Sequence, residues 1–184
     1  QGDAVLKAGP DGKLNWDAAN SDLLGTVLAA EVQVHGKPVI DTLMKKLGTV
    51  TNPAHRNAML AGLRQAKGEQ AERVRDFALS DSVKVGEMRL IYVDRDTPEA
   101  RTASWNWFVK NYDKVVARTG TFGTGYLPRM GGGCSVAEAE RNTAFFKSRL
   151  KDLPGADRGL AQTNESTLLC AALKKAQDPK AIMQ

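Results

Sequence analysis

A capping residue followed directly by proline begins two segments of this chain, and this pattern constrains the fold more than any other feature. Residues 52–56 read Asn-Pro-Ala-His-Arg, and residues 97–101 read Thr-Pro-Glu-Ala-Arg. Asparagine and threonine cap helices, and proline is favourable at the first helical position because its missing N–H would have no partner there. The two segments therefore predict helices that begin alike, and they indicate an internal repeat.

Apolar residues recur at spacings of three and four along most of the chain after residue 17, and no segment alternates with the period of a strand. The sequence therefore predicts an all-α fold without a sheet. About eight helices are expected, over residues 21–35, 38–47, 53–66, 69–79, 83–92, 98–119, 135–150 and 157–177. Short connections favour antiparallel pairs that bury their apolar faces against their neighbours in a stack. A compact helical bundle is the alternative that this pattern leaves open.

Two stretches differ from the helical remainder. Residues 1–17 are polar and contain a Pro-Asp-Gly turn signal, so we interpret them as a connecting segment. Residues 18–184 are expected to form a single helical-repeat domain, because the chain length suits one domain better than two. Residues 120–133 contain six glycines and one proline. No strand precedes this stretch and no lysine follows its glycines, so we interpret it as a flexible connector rather than a phosphate-binding loop.

The net charge of +5 raises the question of a nucleic-acid partner. The densest basic stretch also contains Glu69 and Glu72, whereas a nucleic-acid binder clusters its cations on one face. We interpret the stretch as a solvated helical surface. Its basic residues are Arg56, Arg64, Lys67, Arg73 and Arg75. Nucleic acid is therefore not expected as a partner. A membrane is not expected either, because no segment approaches the ~20 apolar residues that span a bilayer.

Catalytic chemistry is difficult to assemble from these residues. The chain has two histidines, His35 and His55, and no His-Glu-x-x-His pair, so a helical zinc site with its general base cannot be built. Both histidines are interpreted as structural or exposed rather than as metal ligands. No catalytic residue, metal site or cofactor site is assigned to the chain.

Aromatic residues and cysteines provide structural information instead. Trp105 and Phe108 lie on one face of the helix predicted from residue 98 and Trp107 lies on another, which is typical of a helix buried between neighbours. The spacing of Cys134 and Cys170 leaves two possibilities open. They form a disulfide if their helices are antiparallel neighbours, or they are two free thiols.

The second half of the chain carries an ordered pattern of an arginine, two tryptophans, Asn-Tyr-Asp, a glycine-proline loop, Cys-Ser, Phe-Phe and Leu-Ala-Gln-x-x-Glu. Its members are Arg101, Trp105, Trp107, Asn111, Tyr112, Asp113, Cys134, Ser135, Glu138, Phe145, Phe146, Leu160, Gln162 and Glu165. In this order the segment resembles the end of the helical C-terminal domain of gluzincin zinc aminopeptidases. That group includes aminopeptidase N and the puromycin-sensitive and endoplasmic-reticulum aminopeptidases.

The resemblance implies stacked antiparallel helix pairs that form a short superhelix of the HEAT or armadillo kind. It also implies that the chain is the non-catalytic C-terminal part of a larger zinc metallo-aminopeptidase. There the domain would cap the active site and shape the cavity for the peptide substrate. The zinc would belong to the catalytic domain of the same polypeptide, which would be the partner of this chain.

The family's exported bacterial members further imply a disulfide between Cys134 and Cys170. The expected location follows from it: the protein is exported if the cysteines are bridged, and cytoplasmic otherwise. Two other functions are compatible with the sequence. One is a free-standing helical-repeat module that binds protein or nucleic acid, supported by the positive charge, and the other is a stand-alone enzyme with an unrecognised site.

Overall fold

The computed structural model of the protein describes residues 2–7, 14–92 and 97–177. Within these ranges it contains ten α-helices and no β-strand, which confirms the predicted all-α fold. The helices are α1 (Gly2–Leu6), α2 (Leu24–His35), α3 (Lys37–Leu47), α4 (Pro53–Leu63), α5 (Gly68–Phe77), α6 (Val85–Met88), α7 (Pro98–Lys110), α8 (Tyr112–Gly123), α9 (Val136–Lys147) and α10 (Ala156–Ala176). Short 3₁₀ helices cover Trp16–Ala18, Ser21–Leu23, Thr124–Gly131 and Leu150–Asp152. None of the helices in the described part of the chain is long and apolar enough to cross a membrane.

The helices belong to two compact units, Gln1–Asp94 with α1 to α6 and Arg95–Gln184 with α7 to α10. Helix α1 lies inside segment 1–17, and its residue Val5 is fully buried. The Pro-Asp-Gly turn signal at residues 10–12 lies outside the described residues. The division of the chain into a connecting segment, 1–17, and one domain, 18–184, stays a prediction.

Helices α2, α3 and α4 surround the apolar core of the first unit. Leu28 of α2, Leu43 of α3 and Leu60 of α4 are fully buried there. Gly62 lets α4 approach α2 closely, because a Cβ at this position would lie 3.2 Å from the carbonyl oxygen of Leu28. The side-chain oxygen of Asn52 caps α4 and so fixes where this helix begins, as its position before a proline predicts.

Arg56, in the first turn of α4, is the polar centre of this unit. Only 3% of the residue is exposed, and its guanidinium donates to the two carboxylate oxygens of Glu87 at 2.7 and 2.6 Å. The carbonyl oxygens of Leu47, Val50 and Ser82 also accept hydrogen bonds from it, at 2.7, 2.9 and 2.8 Å. One side chain therefore joins the end of α3, the start of α4 and the segment around α6.

These contacts correct the interpretation of residue 56 as part of a solvated surface. A charge is tolerated in the interior when it is paired and hydrogen-bonded, and Arg56 is both. The hydrogen bonds from Arg56 lower the pKa of Glu87 below its ordinary value of 4.5, and they outweigh burial, which acts in the opposite direction. The ion pair between α4 and α6 is therefore stable into mild acid.

One helix was predicted over residues 98–119, but the chain forms two helices, α7 and α8, which separate at Asn111. The backbone of Asn111 leaves the helical region, with φ −108° and ψ 16°. Its side-chain amide donates to the carbonyl oxygen of Trp107 at 3.0 Å and so ends α7. The prediction was wrong because apolar periodicity does not reveal an asparagine that bonds back to its own helix. This division, together with α1, accounts for the two helices beyond the eight expected.

The prediction of a flexible connector over residues 120–133 was wrong for Thr124–Gly131, which forms a 3₁₀ helix packed against α10. Leu127 and Met130 of this segment are buried. Glycines permit the contact, because a Cβ at Gly159 of α10 would collide with the carbonyl oxygen of Gly125. Glycine serves here for the close approach of two backbones rather than for flexibility.

We expect the substitution Glu87→Gln to lower the free energy of unfolding by about 3 kcal/mol at neutral pH, because it leaves the buried Arg56 without its counter-charge. The pKa of Glu87 is lower in the folded state, so the contribution of this ion pair is complete above the unfolded value near 4.5. It is lost as the pH falls through the folded value. The difference between wild type and variant should therefore shrink in acid, which urea unfolding at pH 7 and pH 3 measures.

Asp41→Asn is the matched control for this prediction. Asp41 pairs with Lys37 and Arg73 at the surface, where solvent weakens an ion pair, so its loss should change stability much less than Glu87→Gln. A Glu87→Gln variant as stable as Asp41→Asn at pH 7 would contradict the central role of Arg56.

Alanine substitutions of two helical glycines should have opposite effects. Gly86→Ala in α6 meets no atom within 4 Å and should stabilise the protein by about 0.4–1 kcal/mol, because the unfolded chain loses freedom. Gly159→Ala should instead destabilise it by about 1–3 kcal/mol, because the added Cβ forces α10 away from Gly125. Thermal unfolding of both variants tests the contact, and a stabilised Gly159→Ala protein would argue against it.

Candidate functional site

Aromatic side chains of α7, α8 and α9 pack together in the second unit. The ring of Phe145 lies 5.1 Å from Trp105 and 5.4 Å from Tyr112, both edge to face. Phe108 and Phe146 are fully buried and stack with 6.1 Å between their ring centres. Edge-to-face and offset rings stabilise a core beyond the area that they bury. These five side chains form the aromatic cluster that joins the three helices.

Two arginines cover rings of the aromatic cluster. The guanidinium carbon of Arg141 lies 4.5 Å from the ring centre of Trp105, and that of Arg149 lies 4.0 Å from Phe145. Burial lowers the pKa of Arg141, since the charged form loses solvent there. A cation over an aromatic face recovers part of that loss. Trp107 projects away from the cluster on α7 and is also buried, at 3% exposure.

Glu138, at the start of α9, receives hydrogen bonds from three sides. Arg101 of α7 donates to one oxygen at 3.1 Å, and the backbone N–H of Cys134 and the hydroxyl of Ser135 donate to the other at 2.8 and 2.7 Å. Burial raises the pKa of Glu138, but these hydrogen bonds outweigh it and lower the pKa overall. The backbone at Gly133 lies so close that a Cβ there would collide with the Glu138 carboxylate. We call this arrangement the Glu138 junction.

A disulfide between Cys134 and Cys170 joins the Glu138 junction to α10. The S–S distance is 1.92 Å and the Cα atoms are 4.9 Å apart. The adjacent backbone N–H of Gly133 donates to the hydroxyl of Thr167 on α10 at 3.0 Å. The possibility of two free thiols, which the spacing left open, does not match this structure. The disulfide and the hydrogen bond together hold the start of α9 against α10.

Asn142, a fully buried polar residue on α9, is not among the residues predicted from the sequence. Its amide nitrogen donates at 3.0 Å both to the carbonyl oxygen of Pro128 and to the side-chain oxygen of Asn164. It therefore joins the 3₁₀ helix Thr124–Gly131, α9 and α10. The available signal was a polar residue on the face of α9 that also carries Ala139 and Phe146, since such a residue needs a partner when that face is buried.

Other predicted residues lie apart from the Glu138 junction. Gln162 and Glu165 are exposed on α10. His55 stacks on Trp16 with 4.2 Å between ring centres. His35 is half-exposed at the end of α2, and its Nε2 atom lies 3.5 Å from a carboxylate oxygen of Glu31.

The basic stretch over residues 56–75 does not form one solvated face. Arg75 is 4% exposed, so it is buried like Arg56. The guanidinium of Arg73 donates a hydrogen bond to a carboxylate oxygen of Asp41 at 2.7 Å. Arg64 and Lys67 are exposed, as predicted. Of the five cations that supported the alternative of a nucleic-acid-binding module, two are thus buried, one is paired with Asp41 and two are exposed.

The Glu138 junction and the aromatic cluster position helices rather than reactants, because their charged and polar groups bond to one another. A comparison with protein families places this arrangement in context. The family model for the ERAP1-like C-terminal domain matches residues 5–169, which includes α2 to α9 and most of α10. No curated protein matches the chain.

We expect the double substitution Cys134→Ser with Cys170→Ser to lower the free energy of unfolding by about 3–4 kcal/mol, since the disulfide closes a long loop in the unfolded chain. The two cysteines are 36 positions apart. Reduction of the wild-type protein should produce a similar loss and should leave the variant unchanged, which serves as the control. Alkylation and mass measurement of the unreduced native protein provide the direct test, and two reactive thiols would contradict the disulfide.

Proposed function

Because the chain belongs to the family of ERAP1-like C-terminal domains, which are parts of aminopeptidases, we propose that it covers the active site of such an enzyme and shapes its peptide cavity. The match over residues 5–169 is the observation that carries this proposal. The chain would be the non-catalytic partner of a catalytic domain in the same polypeptide. The whole enzyme would release single residues from the N-termini of peptides.

Zinc in that catalytic domain would activate water for attack on the first peptide bond. The two histidines of this chain do not fit the zinc site of that reaction, which uses two histidines one helical turn apart. His35 and His55 lie on different helices, and His55 stacks on Trp16. The contribution of this chain to catalysis would therefore be the placement and selection of the peptide.

One face of α10 is suited to contact the catalytic domain. Gln162, Glu165, Leu169 and Leu173 follow one another at spacings of three and four, and all four are exposed. The exposed fractions of Leu169 and Leu173 are 59% and 61%, which is high for large apolar side chains. Exposed apolar surface next to polar residues is characteristic of an interaction site. We name these four residues the α10 face and propose that it meets the catalytic domain.

The proposal predicts that this domain affects long substrates more than short ones. We compare the full-length polypeptide with a variant that lacks residues 1–184. The deletion should lower kcat/KM for a peptide of about ten residues and for an aminoacyl anilide by different factors. The factor for the peptide should be at least about ten times larger. Contacts remote from the scissile bond contribute to catalysis, and the anilide makes none of them. Equal losses on both substrates, with the catalytic domain folded and its zinc retained, would contradict the shaping of the cavity.

The variant Leu169→Glu with Leu173→Glu tests the α10 face separately. In the full-length polypeptide it should reproduce the selective loss on long peptides, because charges would separate the two domains. Val34→Glu is the matched control, since Val34 is 74% exposed on α2, outside this face. If the double variant keeps wild-type activity on long peptides, the α10 face does not contact the catalytic domain. The proposal that the whole domain shapes the cavity would still rest on the deletion.

The disulfide supports an exported enzyme rather than a cytoplasmic one, because disulfides persist in oxidising compartments and are reduced in the cytosol.

A further inference from the structure

Three side chains with metal-binding atoms meet where α1 packs against α2 in the first unit. One carboxylate oxygen of Asp3, one of Glu31 and a ring nitrogen of His35 lie within 4.8 Å of one another. Among the described residues no other group of three such side chains comes this close. We propose that Asp3, Glu31 and His35 bind a divalent transition-metal ion, with Zn²⁺ as the ion that fits best.

Glu31 and His35 already have the spacing that zinc needs. They are one helical turn apart on α2, so they share a face, and Glu31 Oε2 lies 3.5 Å from His35 Nε2. In a tetrahedral site with bonds of about 2.1 Å, neighbouring ligand atoms lie about 3.4 Å apart. The carboxylate oxygen of Asp3 lies within 4.8 Å of both atoms, and Asp3 is exposed, so its side chain is free to rotate towards an ion.

The environment of the Glu31 carboxylate also favours a bound cation. Its Oε2 atom is buried and accepts no hydrogen bond from the described residues. Leaving a buried acceptor unpaired costs about 1–3 kcal/mol, so this oxygen gains from a positive ligand. The backbone of α1 at Gly2 packs against the same carboxylate, since a Cβ at Gly2 would collide with the other oxygen, Oε1.

The donor atoms determine the choice of ion. Imidazole nitrogen suits zinc, copper, iron and nickel, whereas magnesium and calcium prefer sites built from oxygen alone. Zn²⁺ accepts a ligand set of one nitrogen and two carboxylate oxygens, with a water in the fourth position. The two carboxylates balance the charge of the ion. His35 is 51% exposed, so an ion can reach the site from solvent.

This site differs from the catalytic zinc site of an aminopeptidase, which lies on another domain and uses two histidines of one helix. Its consequence is mechanical. The ion would clamp the five-residue helix α1 onto α2, and it would stabilise the first unit in proportion to the logarithm of its concentration. The inference does not depend on the proposed role of the chain in peptide binding.

Histidine NMR of the metal-free chain tests the inference directly, since the chain has two histidines. After treatment with a chelator, addition of ZnCl₂ should shift the ring signals of His35 and saturate at one equivalent. The signals of His55, stacked on Trp16, should not move. Long-range ¹H–¹⁵N spectra should identify Nε2 of His35 as the bound atom.

Variants then test the two carboxylates by isothermal titration calorimetry. Loss of a group that only supports a metal ligand lowers affinity about 10–100-fold, so Asp3→Asn and Glu31→Gln should each weaken Zn²⁺ binding at least about tenfold. Glu69→Gln, which removes an exposed carboxylate on α5, is the control and should bind as wild type does. Circular dichroism confirms that each variant is folded.

Three results would overturn the three-residue site. The first is an absence of any His35 shift at millimolar Zn²⁺. The second is an equal shift of both histidines, which indicates general surface binding. The third is an affinity of Asp3→Asn equal to that of wild type, because Asp3 would then not be a ligand.

Discussion

In each of the two units, an arginine at the fourth position of one helix forms an ion pair with a glutamate at the third position of another. Arg56 pairs with Glu87 in the first unit, and Arg101 pairs with Glu138 in the second. Each glutamate also accepts a backbone N–H from the residues just before its own helix. One carboxylate therefore caps the helix that carries it and holds the start of a second helix. We call this arrangement of arginine, glutamate and two helix starts the Arg–Glu device. The cap-proline-arginine pattern of the sequence supplies its arginine.

The interactions that hold the Arg–Glu device in place differ between the two units. In the first unit the guanidinium of Arg56 is almost fully buried, and three backbone carbonyl oxygens accept its other hydrogen bonds. In the second unit Arg101 is less buried and donates a longer bond, at 3.1 Å. There the Cys134–Cys170 disulfide holds the chain next to the same carboxylate. Hydrogen bonds fix the position of the glutamate in one unit, and a covalent bond contributes to it in the other.

The sequence predicted where helices begin better than it predicted where they end or what they bury. Caps at Asn52, Thr97 and Ser135 act within three residues, so local chemistry is sufficient to find them. The burial of Arg56 depends on Glu87, which is 31 positions away, and no local pattern identifies that partner. Predictions therefore failed where a contact between distant elements decides the environment of a residue.

The glycines of residues 120–133 were also misinterpreted because a contact with a distant helix decides their role. Six glycines and a proline predict flexibility when only composition is considered. Their role becomes visible once α10 lies beside them, because Gly125 and Gly159 meet at a distance that excludes a side chain. The candidate site was likewise predicted only in part. The sequence identified the tryptophans and the cysteines, whereas Asn142, Arg141 and the carbonyl partners of Arg56 required the fold.

Burial divides the residues of the aminopeptidase pattern into two groups, and the division bears on function. Trp105, Trp107 and Phe146 are buried, so packing within the domain is a sufficient reason for their presence. Gln162 and Glu165 are exposed on α10, so packing within the domain does not account for them. This exposure is why Gln162 and Glu165 belong to the surface for which we propose a contact outside the domain. The pattern thus contains the residues that build this fold and, on one exposed face of α10, the residues for which we propose a contact with the catalytic domain.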